Sequence, residues 1–370
     1  MAGGSGTRLA PLSTPETPKQ FLKLFSNRTV FSETLDRMFR VSQDFVIVAN
    51  QNMEHLIRED NKHFQGNVKL LLEPVARNTG PAVAYGVKDL DPDTVVIMSP
   101  SDHYVDNDDE FYDAIDEAIQ LAVKGKIVCL SVRPARPDSN FGYVRGKHFV
   151  EKPNYVEASA LINKGYQWNT GIYVFRVDTF LDALKAENEN IIKYVQSETT
   201  FPRCPSISFD KLISEHSSKV TNVKTKIIWN DVGTFSGLYE VIARHSENKF
   251  GTEKRPWGEY QVIRDDEIFK MKKLTIKDGQ SISLQYHKHR KEIWYVLTGS
   301  GTYVNQKEAK NIEYSYYGPG GLIEIPAGNI HKIKSEYLTT VFEIQIGDYF
   351  GEDDIVRLED QYGRIKGDGK

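Results

Sequence analysis

The sequence predicts two successive domains: an α/β domain with a mainly parallel sheet, and then an all-β barrel. A chain of 370 residues is longer than a domain with a single hydrophobic core usually is, which favours two domains. Up to about residue 245, short β-branched runs alternate with amphipathic stretches, which is typical of βαβ units. After Trp257, closely spaced strands are separated by Gly, Pro and Asn, which indicates an antiparallel barrel or sandwich.

The α/β elements follow from local periodicity. Three β-branched runs are predicted strands: 45–48, 95–98 and 127–130. Apolar residues recur at helical spacing over 110–123, so this stretch is a predicted helix between two strands.

The barrel strands are predicted from short runs bounded by turn residues. They cover 259–263, 268–276, 281–286, 293–297, 301–304, 321–325 and 339–346. The polar stretch that begins at Arg244 is the only convincing linker. The predicted domains are therefore 1–245 and 256–370, joined by the linker 246–255.

Composition excludes several classes of protein. With 39% hydrophobic and 26% charged residues, the chain fits a globular protein with real cores. A net charge of −4 gives no basic excess, so no nucleic-acid partner is expected. No run of 18 apolar residues exists, and Cys129 and Cys204 lie outside any metal-spaced cluster. We expect a cytoplasmic protein without a membrane partner, and leave a homo-oligomer open.

The N-terminal residues form a glycine-rich loop. Gly3, Gly4 and Gly6 would let backbone N–H groups approach phosphates beside Thr7, and Arg8 would add a fixed positive charge. A glycine-rich terminus can equally be a flexible leader, so this loop alone does not identify a site.

An ordered series of segments follows the loop. They are 18–21, 73–79, 100–103, 141–144, 149–153, 168–171 and 229–233. The series resembles the sugar-phosphate nucleotidyltransferases and, within them, the mannose-1-phosphate guanylyltransferases. The resemblance implies a Rossmann-like nucleotidyltransferase domain that joins GTP to mannose 1-phosphate, giving GDP-mannose and pyrophosphate.

The resemblance also implies residue roles, because an in-line attack between two anions needs positive charge and a divalent ion. Arg8 and Lys19 would hold the triphosphate, while Asp102 and Asp231 would bind Mg²⁺. The residues expected near the guanine and ribose are Glu73, Arg77, Asn78 and Thr79. Those expected to hold the sugar phosphate are Gly142, Glu151, Lys152 and Asn169, with Asp210 and Glu215 as further sugar contacts. His103 receives no role.

Two segments of the second domain, 285–292 and 326–331, resemble the two motifs of cupins, which implies a double-stranded β-helix barrel. Strand alternation would place Gln285, His287 and His289 on one face. The expected ligands of Zn²⁺ or another first-row divalent metal are Gln285, His287, Glu292 and His331, with His289 as a competitor.

The wider segment from Pro256 to Arg364 resembles the type II mannose-6-phosphate isomerase module. The metal would then polarise open-chain mannose 6-phosphate, with Arg357 beside the substrate. Three functions remain open: a bifunctional enzyme, a guanylyltransferase with a structural or regulatory cupin, and a non-catalytic binder of sugar nucleotides. The binder is disfavoured because Arg8, Lys19, Asp102 and Asp231 are all present.

The sequence departs from these families in three places. A buried hydrophobic strand usually precedes the glycine loop, so we expect a short Val-, Ile- or Leu-rich segment ahead of Met1. The linking region usual between the two domains is absent. Ile293 replaces a common histidine, and Phe235 replaces a common tryptophan.

Overall fold

The computed structural model describes residues 1–4, 6–246 and 251–365. Its contacts divide the chain into two compact units, which meet in sequence between Val232 and Gly233. The predicted division lies at residue 245. The structure divides the chain earlier because the helix of residues 235–246 packs on barrel strands: Phe235 stacks on Tyr295 with ring centroids 5.7 Å apart.

The first unit alternates helices and strands. Its helices are α1 Val30–Phe39, α2 Glu54–Asp60, α3 Thr79–Val87, α4 Asp108–Val123, α5 Tyr155–Asn163 and α6 Val177–Tyr194. Its strands are β1 Asp44–Asn50, β2 Asn67–Glu73, β3 Val95–Met98, β4 Tyr104–Asp106, β5 Ile127–Val132, β6 Tyr143–Arg145, β7 His148–Val150, β8 Gln167–Arg176, β9 Val220–Thr225 and β10 Ile228–Asn230. The three predicted strands and the predicted helix are all present.

The sheets of the first unit are mixed. β1 pairs in parallel with β2, and β5 pairs in parallel with β9. β8 runs antiparallel to β3, β5 and β6, which the sequence did not predict. Every residue of β5 is buried, as expected for a strand covered on both faces.

Local sequence explains how the helices begin. α4 starts with three acidic residues, Asp108, Asp109 and Glu110, which the N-terminal end of the helix dipole favours. α5 starts with a capping box in which the Asn154 side chain accepts from the Glu157 amide and the Glu157 carboxylate accepts from the Asn154 amide. These ends fix where the connecting loops reach the edge of the sheet.

The second unit is a helix followed by antiparallel strands. The helix is α7 Phe235–Ser246. The strands are β11 Thr252–Arg255, β12 Gly258–Asp265, β13 Phe269–Ile276, β14 Leu284–Tyr286, β15 Arg290–Thr298, β16 Gly301–Gln306, β17 Ser315–Tyr317, β18 Leu322–Ile325, β19 Ile330–Ser335, β20 Thr339–Gly347 and β21 Val356–Glu359. They form a six-stranded sheet and a five-stranded sheet with an apolar core that includes Trp257 and Trp294. An all-β C-terminal domain is thus confirmed.

Four of these strands, β11, β17, β19 and β21, were not predicted, and β11 falls inside the predicted linker. β11 consists of polar residues that are mostly exposed, so it lacks the alternation that marks a half-buried strand. Pairing with β12, a tertiary effect, makes it a strand.

Candidate active sites

A cavity of about 480 Å³ in the first unit collects most of the residues expected to bind substrate. Its lining includes Gly3, Gly4, Arg8, Glu73, Asn78, Thr79, Asp102, Gly142, Glu151, Lys152, Asn169, Asp210 and Asp231. Asp102 lies shortly after β3, and Asp231 directly follows β10. The roles of these residues remain predictions, but the structure brings them to one site.

Lys19 contacts both of the aspartates expected to bind Mg²⁺, Asp102 and Asp231. Its Nζ lies 2.9 Å from Asp102 Oδ2, and its side chain is only 4% exposed. The same Nζ donates a hydrogen bond to the Asp231 backbone carbonyl. Arg8 Nη2 lies 3.4 Å from Asp231 Oδ2. Arg8, Asp102 and Asp231 therefore line the cavity, while Lys19 lies behind this wall and contacts both aspartates.

A close contact with Lys19, and not a place in the cavity wall, accounts for the glycine at position 6. Gly6 has a φ of 62°, and a Cβ atom there would lie 2.7 Å from the Lys19 backbone nitrogen and Cβ. Glycine at this position therefore lets the loop pass close to Lys19. Thr7 begins a short 3₁₀ helix, and neither Gly6 nor Thr7 is among the cavity-lining residues.

The charge state of Asp102 suits a cation ligand. Burial opposes its ionisation, but the charge and hydrogen bond of Lys19 more than offset this, so the pKa of the carboxyl lies below its usual value. The Trp229 indole N–H donates to His103 Nδ1 at 3.2 Å, so a neutral imidazole carries its proton on Nε2, which lies 3.7 Å from Asp102 Oδ1. Burial lowers the pKa of His103 and favours that neutral form.

The segment expected to contact the guanine and ribose, residues 73–79, leads into the start of α3. Asn78 has a φ of 67° and caps the helix by accepting from the Thr79 amide, while Thr79 Oγ1 accepts from the Phe209 amide. Burial raises the pKa of Glu73 to about 7, and its Oε1 has no hydrogen-bond partner among the described residues. Arg77 does not line the cavity with Glu73, Asn78 and Thr79. Its guanidinium donates to the Pro202 carbonyl instead.

The part of the cavity expected to bind the sugar phosphate contains a second buried carboxylic acid, Asp210. Asn169 Nδ2 donates to Asp210 Oδ1 at 2.9 Å, and Tyr173 donates to the same oxygen at 2.7 Å. Burial and the nearby Glu151 carboxylate raise the pKa of Asp210 to about 6. Asp210 therefore orients Asn169. Sequence reasoning missed Tyr173, which lies in β8 and has no motif of its own.

The neighbouring Glu151 and Lys152 form an ion pair of 3.0 Å, with Lys152 largely exposed at 61%. Glu215 accepts from the Glu151 amide at 3.0 Å, so it supports this turn from behind and does not line the cavity. A Cβ atom at Gly142 would lie 2.9 Å from Glu151 Oε2, so glycine leaves room for that carboxylate.

The second unit buries three metal-binding side chains together. The candidate ligand atoms of His287, Glu292 and His331 all lie within 4.8 Å of one another. His287 Nε2 is 3.1 Å and His331 Nε2 is 3.7 Å from the Glu292 carboxylate. Gln285 Nε2 lies 3.4 Å from His287 Nε2 and 3.5 Å from His331 Nε2. The imidazole nitrogens of His287 and His331 and the Glu292 carboxylate fit a first-row divalent metal. Gln285 turns its amide nitrogen, which is not a metal ligand, toward them, while its Oε1 accepts from the Ser283 hydroxyl.

The protonation of these groups also fits a metal. Burial lowers the pKa of His331 to about 4, which keeps its imidazole neutral. His331 Nδ1 lies 2.9 Å from the Asn329 carbonyl, an arrangement that places the proton on Nδ1 and leaves Nε2 free for a metal. His287 and its neighbours hold the pKa of Glu292 well below its usual value against the effect of burial.

His289 is not part of this cluster, which corrects the expectation that it competes as a ligand. β14 ends at Tyr286 and β15 begins at Arg290, so strand alternation does not extend to His289. Its side chain is 54% exposed, and its Nδ1 lies 3.5 Å from Asp348 Oδ1.

A small cavity of about 60 Å³ joins the cluster to Arg357. Gln285, Glu292 and Arg357 all line it, and Gln285 pairs with Arg357 between β14 and β21. Arg357 Nε is buried with no hydrogen-bond partner among the described residues. Burial and nearby Arg364 lower the pKa of Arg357.

Sequence reasoning missed the polar residues on the other walls of this cavity, which are Arg255, Lys272, Arg290, Glu343, Gln345, Glu352 and Arg364. Glu343 and Gln345 interrupt the apolar part of β20 from Val341 to Ile346, and that interruption of the pattern was the available signal.

Two models of known protein families match successive parts of the chain. Residues 1–248 match the family described as Nucleotidyl transferase, and residues 243–360 match Mannose-6-phosphate isomerase C-terminal. In the described parts of the chain, no helix is long and apolar enough to cross a bilayer.

Similar proteins cover almost the whole chain. The alginate biosynthesis protein AlgA of Pseudomonas aeruginosa is 28% identical over 98% of this chain and 96% of its own length. The mannose-1-phosphate guanylyltransferase ManC of Salmonella typhimurium is 27% identical over 99% of this chain and 98% of its own. The AlgA alignment spans 470 positions against 370 residues here, so that relative contains residues this chain lacks.

Two solved structures share folds with this chain. A Thermus thermophilus protein named mannose-1-phosphate geranyltransferase is 30% identical, with a TM-score of 0.60 over 66% of this chain and 77% of that one. A Helicobacter pylori mannose-6-phosphate isomerase is 29% identical, with a TM-score of 0.56 over 58% of this chain and 95% of that one.

Proposed function

Because this chain belongs to the nucleotidyl transferase family, we propose that it joins GTP to mannose 1-phosphate, forming GDP-mannose and pyrophosphate. One observation carries the proposal: Arg8, Asp102 and Asp231 line the cavity that also contains the expected sugar-side groups, and the buried Lys19 contacts both aspartates from behind.

The arrangement suits an in-line attack of the sugar phosphate on the α-phosphorus of GTP. Arg8 would bind phosphate oxygens with a permanent charge, and the buried Lys19 ammonium, paired with Asp102, would offset charge that develops in the transition state. Lys152 and Asn169 line the same cavity, where Lys152 would meet the phosphate of mannose 1-phosphate and Asn169 would hydrogen-bond the sugar. Holding both anions in one cavity removes most of the entropic barrier to their encounter.

Asp102 and Asp231 are the residues that would hold Mg²⁺. Their carboxylates face the cavity, and Asp102 ionises readily there, which matches the preference of Mg²⁺ for oxygen ligands. When bound, Mg²⁺ supplies positive charge that offsets the phosphate oxygens.

The test is pyrophosphate release from GTP, mannose 1-phosphate and Mg²⁺. ATP in place of GTP and glucose 1-phosphate in place of mannose 1-phosphate serve as matched controls. We expect release that requires both substrates and falls with either replacement. No release from any pair would leave a sugar-nucleotide binder as the better description.

We further propose that the second unit interconverts mannose 6-phosphate and fructose 6-phosphate. The observation that favours this activity is the buried cluster of His287, Glu292 and His331 in reach of a cavity lined by Arg357. These residues would hold Zn²⁺ or another first-row divalent metal, with Gln285 joining them if its amide turns to present Oε1. When bound, the metal supplies polarisation of the open-chain sugar. Arg357 offers a permanent charge to a phosphate or an enediolate oxygen.

A purely structural barrel is the competing proposal for this unit. It would use the same metal ligands but would not need a nearby arginine whose Nε has no hydrogen-bond partner among the described residues. Assaying isomerisation in the metal-loaded protein, under conditions where pyrophosphate release is active, separates the two proposals. Absence of isomerisation there would favour the structural barrel.

A further inference from the structure

Two carboxylates line the expected sugar side of the 480 Å³ cavity, those of Asp210 and Glu151. Burial, together with the negative charge of Glu151, raises the pKa of Asp210 to about 6. The neighbouring Lys152 opposes this shift, but its side chain is 61% exposed, so solvent screens its charge. Asp210 therefore depends on buried hydrogen-bond donors to stay ionised near neutral pH.

The hydroxyl of Tyr173 is the centre of the hydrogen bonds around Asp210. It donates to Asp210 Oδ1 at 2.7 Å, and it lies 2.8 Å from Ser214 Oγ. Because its single proton goes to the carboxylate, the hydroxyl accepts from Ser214 and from Asn169 Nδ2, which lies 3.0 Å away. Tyr173 is fully buried, so water does not compete for these bonds. Its hydroxyl is thus a fixed donor to Asp210.

The fold holds both sides of this network in place. Asp210 and Ser214 are the two ends of one π-helical turn, Asp210–Ser214, while Asn169 and Tyr173 lie in β8. Such turns are rare and frequently occur at functional sites. Asn169 Oδ1 accepts from the Gly171 amide at 3.0 Å, which directs the Asn169 amide nitrogen toward Asp210. The strand and the turn therefore set the orientation of the Asp210 carboxylate.

One oxygen of Asp210 is left for a ligand. The bonds from Asn169 and Tyr173 both end on Oδ1, and Asp210 itself lines the cavity. An ionised carboxylate can only accept hydrogen bonds, so it suits a hydroxyl group and repels a phosphate. The ligand group that meets Asp210 Oδ2 is therefore a sugar hydroxyl.

We propose that Asp210 accepts a hydrogen bond from a hydroxyl of the mannose ring, and that Tyr173 is the positioning residue that keeps this carboxylate charged and correctly oriented. This inference rests on the proposed guanylyltransferase function and adds to it a residue that determines recognition of the sugar. Tyr173 acts through Asp210 and has no part in the transfer of the nucleotidyl group.

Tyr173→Phe removes only the hydroxyl. We expect kcat/KM for mannose 1-phosphate to fall about 10-fold, mainly through KM, because a hydrogen bond to a charged group is lost. The KM for GTP should not change. Tyr85→Phe is the matched control, since Tyr85 is a buried tyrosine of the same unit that does not line the cavity. A rise in both KM values, or in neither, would overturn the proposal.

The pH profile separates a positioning role from a merely structural one. Without the Tyr173 hydrogen bond the pKa of Asp210 should rise above about 6, so the acid limb of kcat/KM for mannose 1-phosphate should move up by about one pH unit. The other titratable groups that face Asp210 are Glu151, Lys152 and Cys129, and they are the same in both proteins. The substrate phosphate is also common to both. Identical acid limbs would contradict the inference.

Deoxy analogues of mannose 1-phosphate identify the hydroxyl. One analogue, among those lacking the hydroxyl at C2, C3, C4 or C6, should be insensitive to Tyr173→Phe, because it has already lost the contact with Asp210. The other analogues should keep the 10-fold sensitivity of the parent substrate. Equal sensitivity of every analogue would show that Tyr173 supports the cavity without acting through one sugar hydroxyl.

Ser214→Ala keeps the test decisive if Tyr173→Phe fails to fold. Ser214 contacts the Tyr173 hydroxyl but does not line the cavity, so its loss weakens the same network from behind. We expect the same increase in KM for mannose 1-phosphate and the same direction of the pH shift, both smaller than in Tyr173→Phe. A Ser214→Ala protein with a lower Tm but the parent KM and pH profile would overturn the inference.

Titration calorimetry with GDP-mannose and GDP distinguishes this inference from the proposed function. Tyr173→Phe should weaken binding of GDP-mannose by about 10-fold and leave the Kd of GDP unchanged. If the parent releases no pyrophosphate but shows this difference, the guanylyltransferase function fails and the sugar contact stands. Equal Kd values of parent and variant for GDP-mannose would overturn the inference even in an active enzyme. A parent that binds no GDP-mannose would overturn both.

Discussion

Lys19 and Asp102 form an ion pair of 2.9 Å in which the lysine is almost fully buried, at 4% exposure, and the aspartate keeps 30% exposure. A buried ammonium is costly unless an anion is paired with it. Asp102 therefore serves two purposes: it stabilises Lys19 in place, and it presents a carboxylate to the cavity.

Asp102→Asn keeps the shape of the side chain and removes its charge. We expect pyrophosphate release to fall by at least about 10²-fold, because an electrostatic contribution to the transition state is lost. Tm should also fall, since Lys19 loses its anion. The comparison is Asp106→Asn, a nearby aspartate outside the cavity lining, which should stay close to the parent rate. A near-normal rate in Asp102→Asn would remove Asp102 from the mechanism.

Lys152→Ala tests the assignment of the sugar side. Lys152 lines the cavity and is mostly exposed, so its loss should leave stability within about 0.5 kcal/mol of the parent. The KM for mannose 1-phosphate should rise with little change in the KM for GTP. Lys147→Ala, an exposed lysine outside the cavity lining, is the control. If the KM for GTP alone rises, Lys152 belongs to the nucleotide side.

The pKa of Glu73 predicts a pH dependence of stability. Burial raises this pKa to about 7 from an ordinary value of 4.5, so the folded protein binds this proton more tightly than the unfolded chain does. The contribution to stability is present below pH 4.5 and is lost as pH rises through about 7. Glu73→Gln has no such proton, so its gain in Tm over the parent should be larger at about pH 8 than at about pH 5. The same gain at both values would contradict the raised pKa.

Motifs with strong local chemistry were predictable from the sequence. The segments around Asp102, Glu151 and His331 could be recognised because specific residue types follow one another, and the structure brings most of them to two sites. Hydrophobic periodicity likewise identified α4 and the long barrel strands, since one face of each is buried.

Long-range pairing could not be predicted in the same way. β8 is antiparallel to β3, β5 and β6. Which strands lie beside β8, and in which direction they run, depends on the whole fold and cannot be read from the residues of β8. The failure at His289 has a similar origin: alternation predicts a common face only while the backbone stays extended, and the backbone turns between Tyr286 and Arg290. Asp210 and Tyr173 act through contacts between segments 37 residues apart.

His331→Ala and His289→Ala separate the metal cluster from its sequence neighbour. His331 is fully buried beside Glu292, so its loss should remove most of the bound metal, as measured by elemental analysis after dialysis. His289 is exposed and lies outside the cluster, so His289→Ala should keep the parent metal content. Equal loss of metal in both variants would restore His289 as a ligand, and no loss in either would contradict the proposed site.

Arg357→Ala distinguishes a catalytic barrel from a structural one. Arg357 lines the cavity beside Gln285 and Glu292, and its buried Nε has no partner among the described residues, so its charge is available to a bound anion. We expect strong chelation to abolish interconversion of mannose 6-phosphate and fructose 6-phosphate, and Zn²⁺, Co²⁺ or Mn²⁺ to restore it. Arg357→Ala should lose this activity while keeping the metal and the parent rate of pyrophosphate release, because the cavity proposed to bind GTP is lined only by residues of the first unit. Loss of metal in Arg357→Ala would make the arginine a structural support of the cluster. Full isomerisation by Arg357→Ala with the metal retained would exclude the arginine from the reaction.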